Sequence, residues 1–423
     1  MSALIRETRS VCPVCLRNIP AQLWRDDTGA VRMRKSCDAH GEFSALIWRG
    51  YEDFDLWRAE AEPLSGQEGI TCPGNCLSCT EHPQGTCCAL LEVTRRCNLN
   101  CTFCFAHDGA EDVPMEQLKQ AVDTIFTHGR PLIQLSGGEP TLRDDLPELV
   151  RYIHAQGGRY VQVNTNGLRF AEDEDYVRSL ADAGLNIAFL QFDGTDDEVY
   201  RKLRGKALLE TKTRAIELCG RYGIGVTLVP TVVRGVNDRQ IGDIIRFASF
   251  LSPVVRGVHF QPVSFFGKYP RRPEDDDRYT LDELIEALAE QTGLAKENFA
   301  PSHCDHPACG LHGSFIADEF GELTPLTHRD AKKAPSRTSA ERNCDFIGAK
   351  WSAPAPEQQV EAERGSLDDF LYRAGRYSFT VTAMAFQDAL NLDIERLRRC
   401  SLHVYENGKL IPFCAKYLSK VEI

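Results

Sequence analysis

From residue 89 onward short apolar runs alternate with amphipathic stretches, a pattern that predicts repeated strand–helix units feeding a parallel sheet. The runs at 89–94, 131–136, 160–165, 187–193, 225–233 and 256–263 read as strands. Between them, apolar positions at three- and four-residue spacing predict helices over about 114–128, 142–156, 173–184, 207–222 and 238–250, the first opening on Pro114, a residue favoured in a first turn. Six strands between residues 89 and 263 suit an α/β fold of the partial (β/α)6 TIM-type barrel kind better than a closed eight-stranded barrel.

The flanking segments follow other patterns. Residues 61–88 lack periodicity and hold Cys72, Cys76, Cys79, Cys87 and Cys88 among prolines and glycines, as expected where a metal rather than a core organises the backbone. After Gly267 the chain turns polar through Pro270-Arg271-Arg272-Pro273-Glu274-Asp275-Asp276-Asp277, which reads as a linker. Beyond it, Thr280 and Glu283 offer a capping box for a helix to about Gln291. Residues 353–364 read as a loop, 378–384 as a strand, 393–399 as a helix, and Asn407-Gly408 as the type I′ turn of a hairpin. The chain divides accordingly into a metal-knuckle module (1–60), a cysteine-rich segment (61–88), the barrel (89–270) and a C-terminal cysteine-bearing domain (271–423).

Composition narrows the class. At 423 residues and 42% hydrophobic, the chain can bury a large core. Forty-nine basic against 61 acidic residues leave a net charge of −12, which argues against nucleic acid as a partner. Residues 1–10 lack the apolar centre of a signal peptide, and no apolar run approaches a membrane span, so a cytoplasmic protein that is not integral to a membrane is expected. Seventeen cysteines in short-range groups then point to metal binding rather than to disulfides.

The chemistry centres on Cys97-Asn98-Leu99-Asn100-Cys101-Thr102-Phe103-Cys104, directly after the first strand. Three thiolates spaced in this way can hold a 4Fe-4S cluster and leave one iron free to bind a cofactor or substrate. Cys72, Cys76 and Cys79 have the same spacing, but no strand precedes them, so they are assigned to an auxiliary cluster completed by Cys87 or Cys88, with Cys88 preferred. In the C-terminal third Cys304, Cys309, Cys400 and Cys414 form the preferred set for a second auxiliary cluster, with Cys344 left in doubt. Cys12, Cys15, Cys37 and His40 supply two knuckles for zinc or mononuclear iron. Cys219 lies on the apolar side of a helix and reads as core packing.

The cysteine loop, with Phe103 before its last cysteine, resembles that of the radical S-adenosylmethionine superfamily. Gly137-Gly138-Glu139-Pro140 falls where that family contacts the methionine amino group. Asn166, Asp193, Arg201 and Arg204 match further cofactor-pocket positions. The resemblance implies that S-adenosylmethionine is chelated at the open iron and cleaved by one electron to a 5′-deoxyadenosyl radical. It also implies a low-potential donor such as flavodoxin or ferredoxin, and up to three 4Fe-4S clusters. The whole-chain arrangement, including Gln261-Pro262-Val263 and Ile411-Pro412-Phe413-Cys414, is similar to the tetraether lipid synthase and pterin methyltransferase group. Hydrogen abstraction from an unactivated C–H bond is then expected, for lipid-chain coupling or methyl transfer, on a small-molecule or lipid substrate. A lipid substrate would allow association with the membrane periphery, although no amphipathic helix for it is evident. Two other readings are a peptide maturase with auxiliary clusters and a non-catalytic iron–sulfur electron carrier, the latter having no use for the Gly137–Pro140 loop.

Overall fold

The computed structural model describes residues 2–58, 71–74, 76, 82, 84–106, 109–330, 338–355 and 366–421. Four antiparallel strands come first: β1 (Ala3–Val11), β2 (Asn18–Arg25), β3 (Val31–Cys37) and β4 (Gly41–Trp48), joined as a meander. Strict alternation of buried and exposed positions along β3 gives this small sheet one face to bury. It lays that face on the barrel through Leu23, Met33, Trp48 and, just beyond, Trp57.

The barrel strands are β5 (Cys88–Thr94), β6 (Leu132–Gly137), β7 (Val161–Thr165), β8 (Ile187–Gln191), β9 (Gly225–Val229), the short β10 (Thr231–Val232) and β11 (Val255–Pro262). β5, β6, β7, β8, β9 and β11 pair in parallel in that order, with β10 set beside the end of β11. The helices Met115–Thr127, Leu146–Ala155, Glu174–Asp182, Leu209–Arg221 and Ile241–Phe250 fall within the predicted ranges and cover the outside. Two helices escape the periodicity argument because they are short: Leu168–Glu172 and Asp197–Arg204. The second is capped by Asp196, whose carboxylate accepts from the amides of Glu198 and Val199, and ends on Gly205 at φ 78°.

The C-terminal region extends the same sheet. Its strands are β12 (Ala300–Pro301), β13 (Gly310–Ala317), β14 (Leu323–Pro325), β15 (Ser378–Met384), β16 (Leu402–Glu406) and β17 (Lys409–Pro412). β15 joins β11 in parallel at one edge and β16 joins β5 in parallel at the other, so among the described residues eight parallel strands curve around the lumen, with no pairing between β15 and β16. These additions cover what would be bare edges of a six-stranded sheet. The helix Ala340–Trp351 lies across the N-terminal ends of the strands. A side chain on Gly225, at the start of β9, would meet the Trp351 carbonyl at 2.1 Å.

The predicted capping box is present, with Glu283 accepting from the Thr280 amide and hydroxyl at 2.8 Å. So is the hairpin turn, with Asn407 at φ 48° and Gly408 at φ 81°. The polar run 270–277 differs from the expected linker. Asp275 accepts from the Leu46 amide at 2.9 Å and pairs with Arg32, while Asp282 accepts from the amides of Arg49, Gly50 and Tyr51. A stretch that looks solvated in the sequence thus moors the N-terminal sheet by carboxylate–amide bonds. Among the described residues no helix is long and apolar enough to cross a membrane.

Candidate active site and metal centres

The loop 97–104 crosses the C-terminal mouth of the barrel and is held from three sides. Thr102 is tied to the helix Asp197–Arg204 by bonds from its amide and hydroxyl to the carbonyls of Leu203 and Lys202, both at 3.0 Å. Cys104 exchanges backbone bonds with Lys268. Asn98 accepts from Asn166 Nδ2 at 2.7 Å. Cys97 is exposed, and Cys101 and Cys104 are half-buried. The thiols are therefore presented at a surface rather than lost in the core.

Gly137 and Gly138 end β6 against the residues that lead into this loop. A Cβ on Gly137, at φ 122°, would sit 2.2 Å from the Thr94 carbonyl oxygen, and one on Gly138 would sit 2.1 Å from that of Arg96. Only glycine lets the two strand ends approach this closely. Pro140 begins a buried turn, and Glu139 acts as a clamp. Its carboxylate accepts from the Thr141 amide and hydroxyl, the Thr165 hydroxyl at 2.7 Å and the Asn166 amide at 2.7 Å. Burial raises its pKa and those donors oppose the rise.

At the end of β8, Asp193 is fully buried and holds Arg204 bidentately, Nε to Oδ2 at 2.6 Å and Nη2 to Oδ1 at 2.9 Å. The Thr231 amide and the Gln191 side chain also bond this carboxylate. Lys212, likewise fully buried, donates to Gln191 Oε1 and to the Asn166 carbonyl. Burial brings its ammonium down to about 7 despite the Asp193 charge nearby. The side chain of Arg204 lines the cavity described next. Arg201, three residues earlier, is exposed on the outer side of the same helix and is not among the residues lining the cavity. Lys212 escaped the sequence argument because a lysine at a helical position normally reads as solvent-facing.

A cavity of about 310 Å³ runs from this mouth down the lumen. Cys97, Cys101, Cys104, Gly137–Glu139, Asn166 and Arg204 line its upper end. The wall also carries polar side chains from successive strands, Gln134, Gln162, Asn164 and Gln191, together with the rings of Phe189, His259 and Trp351. Among the described residues, buried Gln162 has no hydrogen-bond partner for its Oε1. Three thiols on one loop beside a glycine-narrowed strand end and an open cavity fit a cluster with one vacant iron position, and the polar mouth fits the amino-acid part of a sulfonium cofactor.

The remaining cysteines partition differently from the sequence-based sets. Cys309 and Cys414 lie beside Arg396, whose Nε donates to Cys309 Sγ at 3.4 Å, and Cys400 lies near those two thiols. Cys414 shares an apolar group with Cys72. Cys72 and Cys76 line a small cavity with Leu410 and Pro412. Cys79 lies outside the described residues. Cys304, expected beside Cys309, belongs instead with Cys87 and Cys344. The cause is the chain step at 400–401: Cys400 faces Cys309 and Cys414, while Ser401 turns the other way, toward Cys304. Cys88, expected beside Cys72, opens β5 and turns into the lumen, its sulfur 3.0 Å from Gln134 Oε1. Cys219 is buried in the main core, where burial raises its thiol to about 12.

In the N-terminal sheet the ligand atoms of Cys12, Cys15, Cys37 and His40 lie within 4.8 Å of one another. His40 Nδ1 is 3.5 Å from Cys12 Sγ and 3.4 Å from Cys37 Sγ. Tetrahedral zinc with ordinary bond lengths places sulfur and nitrogen ligands about 3.6 Å apart, close to both distances, so the donor set suits the ion. Removing the ion, by chelation or by Cys37→Ala, is expected to release one metal per chain and make residues 4–49 sensitive to limited proteolysis while the barrel stays resistant. Metal analysis alongside the digest checks this.

Two parts of the chain match known family models. Residues 91–248 match the family model described as the radical SAM superfamily, and residues 4–49 match the HMPTM N-terminal zinc ribbon domain. A 7,8-dihydro-6-hydroxymethylpterin dimethyltransferase of Methanocaldococcus jannaschii is 32% identical, with 97% of this chain and 92% of that protein covered. An Fe-coproporphyrin III synthase of Methanosarcina barkeri is 30% identical over 51% of this chain and 55% of that protein. The crystal structure of Streptococcus suis SuiB is similar over 50% of this chain and 47% of that one, at 18% identity and a TM-score of 0.42.

Proposed function

The chain belongs to the radical S-adenosylmethionine superfamily, and on that premise we propose that it transfers methyl groups to a small polar heterocycle of the dihydropterin class. The observation that carries this reading is the nearly end-to-end similarity to the pterin dimethyltransferase. The lumen supports it. Gln134, Gln162, Asn164 and Gln191 line the path below the cysteine loop. Against a hydrocarbon chain the Gln162 Oε1, which has no partner among the described residues, would lose its hydrogen bond with water and gain none, a cost of about 1–3 kcal/mol. The unpartnered Gln162 Oε1 calls for an N–H donor, and a flat ring suits the wall of Phe189, His259 and Trp351. Lipid-chain coupling is therefore the weaker branch of the earlier expectation. The peptide-maturase and electron-carrier readings have no comparable support.

When bound, the cluster and S-adenosylmethionine supply one-electron cleavage of the sulfonium bond. The part of this chain's own residues is placement. Cys97, Cys101 and Cys104 would hold the cluster, and the backbone of Gly137 and Gly138, kept in position by the Glu139 clamp, would receive the methionine amino group. Asn166 and the Asp193–Arg204 pair shape the wall beside it, and zinc would occupy the N-terminal site. A low-potential electron donor completes the system.

The test is anaerobic incubation of reconstituted protein with dithionite, S-adenosylmethionine and 7,8-dihydro-6-hydroxymethylpterin. The pterin is expected to bind and to accelerate 5′-deoxyadenosine formation, which turns one S-adenosylmethionine into methionine; a second gives up its methyl in place of the abstracted hydrogen and leaves as S-adenosylhomocysteine, with electrons from dithionite, and mass spectrometry is expected to show the methylated pterin. If the pterin neither binds nor changes the rate while a lipid or a peptide does, the substrate assignment is wrong. If no 5′-deoxyadenosine forms under any condition, the enzyme reading itself is lost.

A further inference from the structure

His259 has one ring nitrogen held by the fold and the other without a partner. It sits in β11 three residues before the strand's end, on the order of 10 Å below the mouth. It lines the cavity beside Phe189 and Trp351, whose ring centres are 5.3 and 5.8 Å away. Gln162 stands at the same depth, three residues before the end of β7. Nδ1 of His259 lies 2.8 Å from the Thr382 hydroxyl. Among the described residues Nε2 has no hydrogen-bond partner, and the 8% of the residue that stays exposed opens on the cavity.

Which nitrogen carries the hydrogen follows from a repeat in β15. Two residues before Thr382, Thr380 accepts from the Trp351 indole N–H at 3.0 Å. An indole nitrogen can only donate, so the Thr380 hydroxyl sends its own hydrogen elsewhere, to the Arg256 carbonyl 3.5 Å away. Thr382 repeats this geometry, its hydroxyl 3.5 Å from the Val258 carbonyl. With that hydrogen turned to Val258, the hydroxyl accepts from His259 Nδ1–H. Burial holds the ring down to about 4, so it is neutral near pH 7, and a single hydrogen on Nδ1 leaves a lone pair on Nε2. Gln162 is oriented in the same sense. Its Nε2 donates to Asn164 Oδ1 at 3.4 Å, and Asn164 Nδ2 donates to Ser136 Oγ at 3.3 Å, which leaves Gln162 Oε1 as an acceptor with no donor among the described residues.

We propose that His259 Nε2 accepts an N–H from the amino-bearing edge of the substrate heterocycle, with Gln162 Oε1 the second acceptor at that depth. The inference rests on the dihydropterin reading above and deepens it. Two acceptors select a ring edge with more than one N–H, which the 2-amino group of a pterin and the ring N–H beside it supply, and they leave a carbonyl or hydrocarbon edge unpaired. With that edge held low in the lumen, the hydroxymethyl-bearing ring points toward the loop 97–104. His259 thus sets the direction in which the substrate lies and exchanges no proton with it.

The test is anaerobic equilibrium dialysis of 7,8-dihydro-6-hydroxymethylpterin against the full-length reconstituted protein. His259→Phe keeps the aromatic wall and removes the acceptor, and it is expected to weaken binding about tenfold, the effect of one hydrogen bond. His259→Gln disturbs the wall but returns an acceptor, and it is expected to stay within about threefold of the unaltered protein. A packing role alone predicts the reverse ranking, and that ranking, or an unchanged Kd in both variants, would overturn the proposal. The analogue without the 2-amino group is expected to bind the unaltered protein about tenfold more weakly, whereas equal affinity would overturn the orientation. Should the His259 variants not fold, Thr382→Val decides, because it frees the ring to turn an N–H into the lumen. Pterin binding weakened several-fold supports the assignment, and unchanged binding overturns it. No binding to the unaltered protein would remove the dihydropterin reading and this assignment with it, an outcome distinct from binding that ignores His259.

Discussion

Replacing Cys97 by alanine is expected to abolish 5′-deoxyadenosine formation while leaving the fold intact. The side chain is exposed on a loop whose hold on the barrel runs through Asn98, Thr102 and Cys104, so its removal creates no cavity and breaks none of those bonds. It would, however, leave a cluster with only two protein ligands. Loss of an outer-shell partner of a metal costs about 10–100-fold, and loss of a direct ligand should exceed that. Chromatographic assay of 5′-deoxyadenosine, with circular dichroism as the control for folding, measures the effect. Cys72→Ala provides the contrast, because Cys72 sits with Cys414 in a separate apolar group. If Cys72→Ala abolished cleavage and Cys97→Ala spared it, the cofactor would have to be moved to the other cysteine triplet.

Asp193→Ala is expected to destabilise the barrel by about 3–5 kcal/mol, the range for removing one partner of a buried ion pair. The carboxylate is fully buried, accepts two bonds from Arg204 and a third from the Thr231 amide, and offsets the charge of buried Lys212. Without it two cations are left in the lumen wall with no anion between them. By contrast Arg201→Ala, three residues before Arg204 and exposed, is expected to fall within about 0.5 kcal/mol of the unaltered protein. Urea unfolding of both variants measures the difference. Equal, small effects would mean that the Asp193–Arg204 pair contributes little to holding the barrel together.

Those two arginines mark where the sequence stops being informative. Arg201 and Arg204 share one short helix, and although Arg204 lies nearer its Val199–Tyr200–Leu203 stripe, an arginine there still reads as solvent-facing. Asp193 decides it, from the end of a strand eleven positions away. Lys212 is a stronger case, since its buried position depends on a carbonyl and an amide contributed by two other strand ends. The Gly137-Gly138 pair was legible for the opposite reason. Close backbone approach admits only glycine, so the constraint is written into the residues themselves.

The sequence by itself determined the barrel's strands, the longer helices between them and their order. The six barrel strands, their covering helices, the capping box at Thr280 and the turn at Asn407-Gly408 all rest on spacing or residue type within a few positions, where local physics is enough. The cysteine loop and the N-terminal knuckles were legible on the same ground, because their donors are neighbours along the chain. Tertiary structure alone decided the grouping of the distant thiols. Cys304 could be matched to Cys309 by proximity in sequence, yet it meets Cys87 and Cys344, which lie more than 200 and exactly 40 residues away in the numbering. It also decided that the acidic run at 270–277 moors the N-terminal sheet, and that β15 and β16 flank the barrel in parallel. Such contacts are set by which faces remain to be buried once the barrel has formed, and no window of sequence contains both partners.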